Sequence, residues 1–225
     1  MAYESPINAL PPVVTALCLV IFAVELTMSA GAIGLVGGPG AIGWRLSVVQ
    51  DYAVSPAVVD YVVWRGDLSF DLLKRFVTYA FVHGSFTDAL FGGALLLALG
   101  KFVGDVFHPV ATGLLFVISA IAGAVAFGLV ADGSQPLYGA YPAVYGFIGA
   151  FTYLLWTRIG QQGGNQVKAF RLIGFLLALQ LVFALIFGGT LRWVADVAGF
   201  TVGFAASIVL APGGWAALLD RLRQR

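Results

Sequence analysis

The chain has 225 residues, 60% hydrophobic and 10% charged, with a net charge of +1 and a mean hydropathy of +0.94. Soluble domains carry about 45–50% apolar and about 25% charged residues, so this balance excludes an ordinary soluble domain and predicts an integral membrane protein with all-α spans. The near-zero charge argues against nucleic acid as a partner, and the single cysteine, Cys18, excludes an internal disulfide.

A spanning helix needs roughly 20 mostly apolar residues. The opening "MAYESPINAL" has no positive n-region, so the first apolar stretch is not expected to be a cleaved leader. The first span is predicted from about Pro12 to Ser29. A long connection follows, Ala30 to Gly84, with glycine turns in "GLVGGPGAIGWR" and apolar pieces too broken to span. Within it, "FDLLKRFVTYAFVHG" alternates charged and aromatic residues, as a helix lying in the membrane interface would. The second span is predicted from about Ser85 to Val103, the third from Pro109 to Ala131 and the fourth from Ala140 to Trp156. The fifth follows from Ala169 to Phe187 and the sixth from Arg192 to Leu210. The tail, "WAALLDRLRQR", has the pattern of a short basic amphipathic surface helix able to touch anionic lipid. Length allows one domain over residues 1–225, with residues 213–225 as tail.

Lysine and arginine are distributed unevenly between the spans. Lys101 lies between spans two and three; Arg158, Lys168 and Arg171 lie between four and five; Arg221, Arg223 and Arg225 follow span six. The turn between three and four has no basic residue, and that between five and six has only Arg192. The positive-inside rule then puts both termini in the cytoplasm. Arg45, Arg65, Lys74 and Arg75 in the long first loop run against this and are discounted, since long loops follow the rule poorly.

Ionisable residues inside spans are costly and point to function. Glu25, Asp88 and Asp196 fall there by this reading. Asp196, Gly199 and Gly203 share one helical face, as do Asp88 with Gly92 and Tyr141 with Tyr145 and Gly149. The plain alternative is that such polar stripes hold helices together, at about 0.6–2 kcal/mol for each intramembrane hydrogen bond. Glu25 is expected to snorkel, pair with an arginine of the first loop or mark a partner contact.

Several motifs in this order resemble the rhomboid intramembrane serine proteases, over about Val63 to Pro212. The pair Trp64-Arg65 looks like the Trp-Arg pair of that family's first loop. "TYAFVHGSFTDALFG" (78–92) is similar to the family's segment entering the second helix, with His83 at the first histidine, Asp88 at the second histidine and Gly92 at the asparagine. "GAYPAVYG" (139–146) resembles the nucleophile motif, with Tyr141 at the serine, Pro142 at the glycine that follows it, and Tyr145 at the tyrosine that commonly stacks on the catalytic histidine. "ADVAGFTVG" (195–203) resembles the sixth-helix motif, with Asp196 at the histidine.

The resemblance implies a six-transmembrane-helix rhomboid-like bundle with a long membrane-embedded first loop, framed by Trp64, Arg65, Gly139, Gly146, Gly199 and Gly203. It implies degenerate dyad positions at Tyr141 and Asp196, degenerate oxyanion positions at Asp88 and Gly92, and no catalytic residue. Tyr141, Tyr145, Asp88, Asp196 and His83 would line a pocket for clients, with Tyr141, Asp196 and Asp88 forming one hydrogen-bonded cluster. Such pseudoproteases bind transmembrane helices of client proteins at the lateral opening between helices two and five. The expectation is therefore a multi-pass protein of a bacterial inner membrane, with client helices and membrane lipids as partners and no cofactor, metal or nucleotide. Two alternatives stay open: an intramembrane serine-type endopeptidase with altered or residual activity, and a small transporter or channel subunit.

Overall fold

The structure is a computed structural model that describes residues 9–133 and 135–215. Among the described residues ten α-helices follow one another, joined by short 3₁₀ turns, and no strand forms. The long ones are α1 (Pro12–Ala32), α6 (Phe86–Gly104), α7 (Pro109–Val130), α8 (Tyr141–Gln161), α9 (Arg171–Phe187) and α10 (Arg192–Leu210). Between α1 and α6 lie α2 (Trp44–Tyr52), α3 (Pro56–Val63), α4 (Phe70–Leu73) and α5 (Arg75–Thr78). The protein is an all-α integral membrane protein, and its six long helices begin close to where the apolar runs predict. The tail expected to form a surface helix falls almost wholly outside the described residues, as does Ser134.

Among the described residues five regions of helix are long and apolar enough to cross a membrane, and α8 is not one of them. The reason is its position. α8 packs against α10, α7 and α6, and residues from Pro142 to Ala150 are buried without a break. A helix enclosed by protein need not offer lipid an apolar face, so its tyrosines, threonines and glycines are tolerated.

Small residues set the distance between α8 and α10. A Cβ on Gly199 would run into the backbone of Pro142, one on Gly203 into that of Gly146, and one on Gly149 into that of Phe200 and Phe204. Backbone cannot step aside as a side chain does, so these three positions accept nothing larger.

Two fastenings hold the first half of the long loop. Val54 and Leu137 form an isolated antiparallel bridge, N–H to carbonyl at 3.1 and 2.7 Å, which ties the loop to the strap leading into α8. The other fastening is buried and ionic. The Arg45 guanidinium donates to Glu25 Oε1 at 2.6 Å, to Glu25 Oε2 at 2.9 Å and to the His83 carbonyl at 2.7 Å. Ser29 Oγ donates to the same Glu25 carboxylate at 2.7 Å. Glu25 is fully buried, so its charge depends on this fork of donors. Held against that carboxylate, the Arg45 guanidinium is shifted above its usual range and stays charged. Of the readings open for Glu25, the structure selects the arginine pair.

This corrects one expectation. Trp64 is 73% exposed, and Arg65 lies on the surface over the Tyr61 ring, paired with Asp60 at 2.9 Å. The chain holds a second Trp-Arg pair twenty residues earlier, and it is this pair that organises the loop. The Trp44 ring fills the space beside Gly31 and Gly37, and Arg45 reaches inward.

Three substitutions test this packing by thermal unfolding in detergent. Arg45→Ala leaves a buried carboxylate unpaired and should cost about 3 kcal/mol, the low end for a broken buried pair because Arg45 is itself partly exposed. Arg65→Ala should stay within about 0.5 kcal/mol, as exposed pairs do. Gly203→Leu should prevent α8 and α10 from closing and abolish the folded bundle, read as loss of a cooperative melt.

Candidate functional site

The site forms where the N-termini of α6, α8 and α10 meet. The chain enters α8 through Gly139, at φ +104°, a backbone conformation that side-chain-bearing residues rarely adopt. Gly139 N–H donates to the Tyr79 carbonyl at 3.0 Å, and the Tyr79 hydroxyl donates to the Ala120 carbonyl at 2.8 Å. The strap is thereby pinned to both the first loop and α7. α8 then begins at Tyr141 with Pro142 beside it, in the first turn, where a missing N–H has no helical partner to lose.

His83 is fully buried under this turn. Its Nε2 accepts from Ala140 N–H at 3.2 Å, so that nitrogen carries no proton. Nδ1 holds the proton and finds no well-formed acceptor. Burial keeps the imidazole below its ordinary pKa and hence neutral. The ring also lies against α6 at Gly92, where a Cβ would come within 3.1 Å of Nε2. His83 therefore joins the loop, α6 and α8, and its one free lone pair is already used.

Asp88, expected within the second span, lies at the very start of that helix. It stands in the first turn of α6, half-buried, where Ser85 Oγ accepts from Asp88 N–H at 3.2 Å and Asp88 Oδ2 accepts from Gly84 N–H at 3.1 Å. This is a helix cap in which a carboxylate meets the positive end of the helix dipole. The Tyr141 hydroxyl lies within reach of the same carboxylate.

Asp196 is 5% exposed, on α10. It does not bond Tyr141. Gln180 of α9 donates from Nε2 to Asp196 Oδ2 at 2.8 Å and to the Tyr145 hydroxyl oxygen at 3.0 Å. The single expected cluster is thus two groups, Tyr141 with Asp88 at the rim and Tyr145, Gln180 and Asp196 one turn deeper. Gln180 belongs to no motif, and its one signal in the sequence is a lone amide within "LLALQLVFAL". Gly146 and Gly199 lie behind the site, where Gly146 gives room for Ser119. Among the described residues no group of three or more His, Cys, Asp or Glu is placed to hold a metal ion.

A cavity of about 670 Å³ opens between α9 and α10, with Gln180 and Asp196 among its lining residues. α9 packs on α8 and on the turn before it, and has no extensive contact with α6 or α10. This cavity lies on the α9–α10 side, whereas the resemblance implies a client opening between α6 and α9.

The chemistry available is limited. The chain has two histidines, His83 and His108, and the latter caps α7 through a bond from Val110 N–H at the other end of the bundle. Around Tyr141 the candidate proton acceptors are carboxylates. A phenol is ordinarily a far weaker acid than a carboxylic acid, by about six pKa units, so carboxylates in general are poor bases for a phenol.

Because folding depresses the His83 pKa, its contribution to stability is present above about pH 6.5, the unfolded value. It is lost as pH falls from there toward the folded value, since the unfolded chain takes the proton first. The melting temperature should decline over that interval, and His83→Gln, which can still accept from Ala140 N–H, should flatten the decline.

The sequence matches the Rhomboid domain family over residues 71–213, well over half of the chain. A comparison with curated proteins gives no match. The match begins after Trp64-Arg65 and takes in every residue discussed at the site: His83 and Asp88 at the start of α6, Tyr141 at the start of α8, Gln180 on α9 and Asp196 on α10. The chain belongs to the rhomboid family.

Proposed function

We propose that this rhomboid-family membrane protein is non-proteolytic, and that it binds transmembrane segments of client proteins and affects their stability, assembly or trafficking. The observation that carries this reading is the residue set at the family's reacting positions. Tyr141 stands where a serine would, beside the carboxylate of Asp88. Asp196 stands where the base would, with one oxygen bound to Gln180. The only imidazole nearby spends its lone pair on Ala140 N–H. Serine hydrolysis needs a nucleophile, an imidazole base and oxyanion donors, and loss of one donor alone typically costs ~10²–10³ in rate. A carboxylate at the rim would repel a developing oxyanion.

Client binding is supported by what remains. α9 stands apart from its neighbours, a cavity opens beside it, and buried polar groups face that cavity. Polar groups at that depth can recognise a helix that brings its own polar turn. On the basic-residue pattern the cavity opens on the non-cytoplasmic side of a bacterial inner membrane, with both termini cytoplasmic.

The purified protein, incubated with fluorogenic transmembrane substrates and a serine-reactive fluorophosphonate, should show neither turnover nor labelling. A photo-crosslinker placed at Tyr141 in native membranes should instead capture transmembrane proteins. Turnover abolished by Tyr141→Phe would overturn the reading.

A further inference from the structure

We propose that the α9–α10 cavity receives the client helix through a lysine side chain, whose ammonium group is bound by Gln180 and Asp196. This rests on the client-binding reading and names what is recognised. The cavity, about 670 Å³, has apolar walls from Leu177, Leu181, Trp193 and Val197. Its polar floor carries acceptors with unused lone pairs. Gln180 uses Nε2 on both Tyr145 and Asp196, while its Oε1 is buried with no partner. Asp196, 5% exposed, accepts that one bond on Oδ2, and no other donor among the described residues reaches the carboxylate.

An amide oxygen and a carboxylate oxygen with unused lone pairs call for a donor, and a buried acceptor left unmet is costly. An ammonium group supplies three N–H donors, no acceptor and the complementary charge. A lysine rooted deeper in the membrane can extend its stem along the apolar walls and carry its head outward to this floor. Gly188 and Gly189 edge the cavity without side chains, so an incoming backbone can come close.

An amine-bearing lipid fits less well. Arg192, at the start of α10, is directed to the Pro136 carbonyl at 3.3 Å and over the Tyr138 ring at 4.3 Å. Asp196 lies one turn further along the helix. The cation is therefore outermost and the carboxylate deeper. In a bilayer lipid the order needed is the reverse, because the phosphate sits on the acyl-chain side of the amine.

The test uses the full chain in phosphatidylcholine proteoliposomes and three fluorescent Leu/Ala-rich transmembrane peptides that differ at one position in the outer third: Lys, Leu or Glu. Energy transfer from a donor fluorophore on the protein reads binding. The Lys peptide should bind about tenfold more tightly than the Leu peptide, with Glu weakest. Asp196→Asn should remove the preference for Lys, and a benzophenone amino acid at Trp193 should crosslink to the Lys peptide. Equal binding of the Lys and Leu peptides to the unaltered protein would overturn the lysine site while leaving client binding in place. Binding of none of the three would overturn both. Displacement of the Lys peptide by added phosphatidylethanolamine, with the crosslink moving to the lipid, would assign the cavity to lipid and overturn the proposal. Should Asp196→Asn fail to fold, the three peptides on the unaltered protein decide.

Discussion

Everything at the site depends on two helices meeting backbone to backbone. Gly149, Gly199 and Gly203 leave no side chain between α8 and α10, and any Cβ there would strike main chain across the contact. That approach puts Asp196 and Tyr145 within reach of a single amide from α9. Were the helices a methyl group further apart, Gln180 could not serve both. Since lipid offers no hydrophobic gain for joining apolar helices, close packing and interhelical hydrogen bonds must supply the association, and here they occur together.

The second constraint is electrostatic. A carboxylate buried in α1 and a guanidinium from the first loop neutralise each other, and the guanidinium also holds the His83 carbonyl. His83 in turn holds the first turn of α8. The chain of contacts runs from Glu25 through Arg45 and His83 to Ala140, so a loop more than fifty residues long delivers one imidazole to one position. In a low-dielectric setting such a path is stable only when each charge and each lone pair has its partner. The groups at its far end, Tyr141 and Asp88, are suited to hold a shape and poorly suited to move a proton.

Much of this was legible from residues alone. Twenty-residue apolar runs mark spans whatever the tertiary packing, and even α8 was visible despite its lower hydropathy, because its small residues recur on one face. The choice between Trp44-Arg45 and Trp64-Arg65 was open to sequence only through Glu25, since a buried carboxylate demands a cation and spacing cannot say which of four is near. That Asp88 serves as a helix cap was not legible, because a cap and a residue inside the helix differ by one turn, which sequence does not resolve. Gln180 was hidden for a different reason: an amide in an apolar span has no periodic partner on its own helix, and its two acceptors lie on two others.

The attachment of α9 sets how that helix can move. Its lower end is anchored, with Ala169 and Ile173 buried and Gln166 Nε2 bound to the Trp156 carbonyl at 3.1 Å. Nearer its middle, Gln180 joins it to Tyr145 of α8 and Asp196 of α10. A rod held at its foot and joined to its neighbours by an amide near its middle has its greatest freedom at the far end, and the freedom is to swing rather than to slide. Loss of that tether would widen the cavity most at the Gly188 end and least near Arg171, turning the helix into a lever whose travel grows with distance from its base.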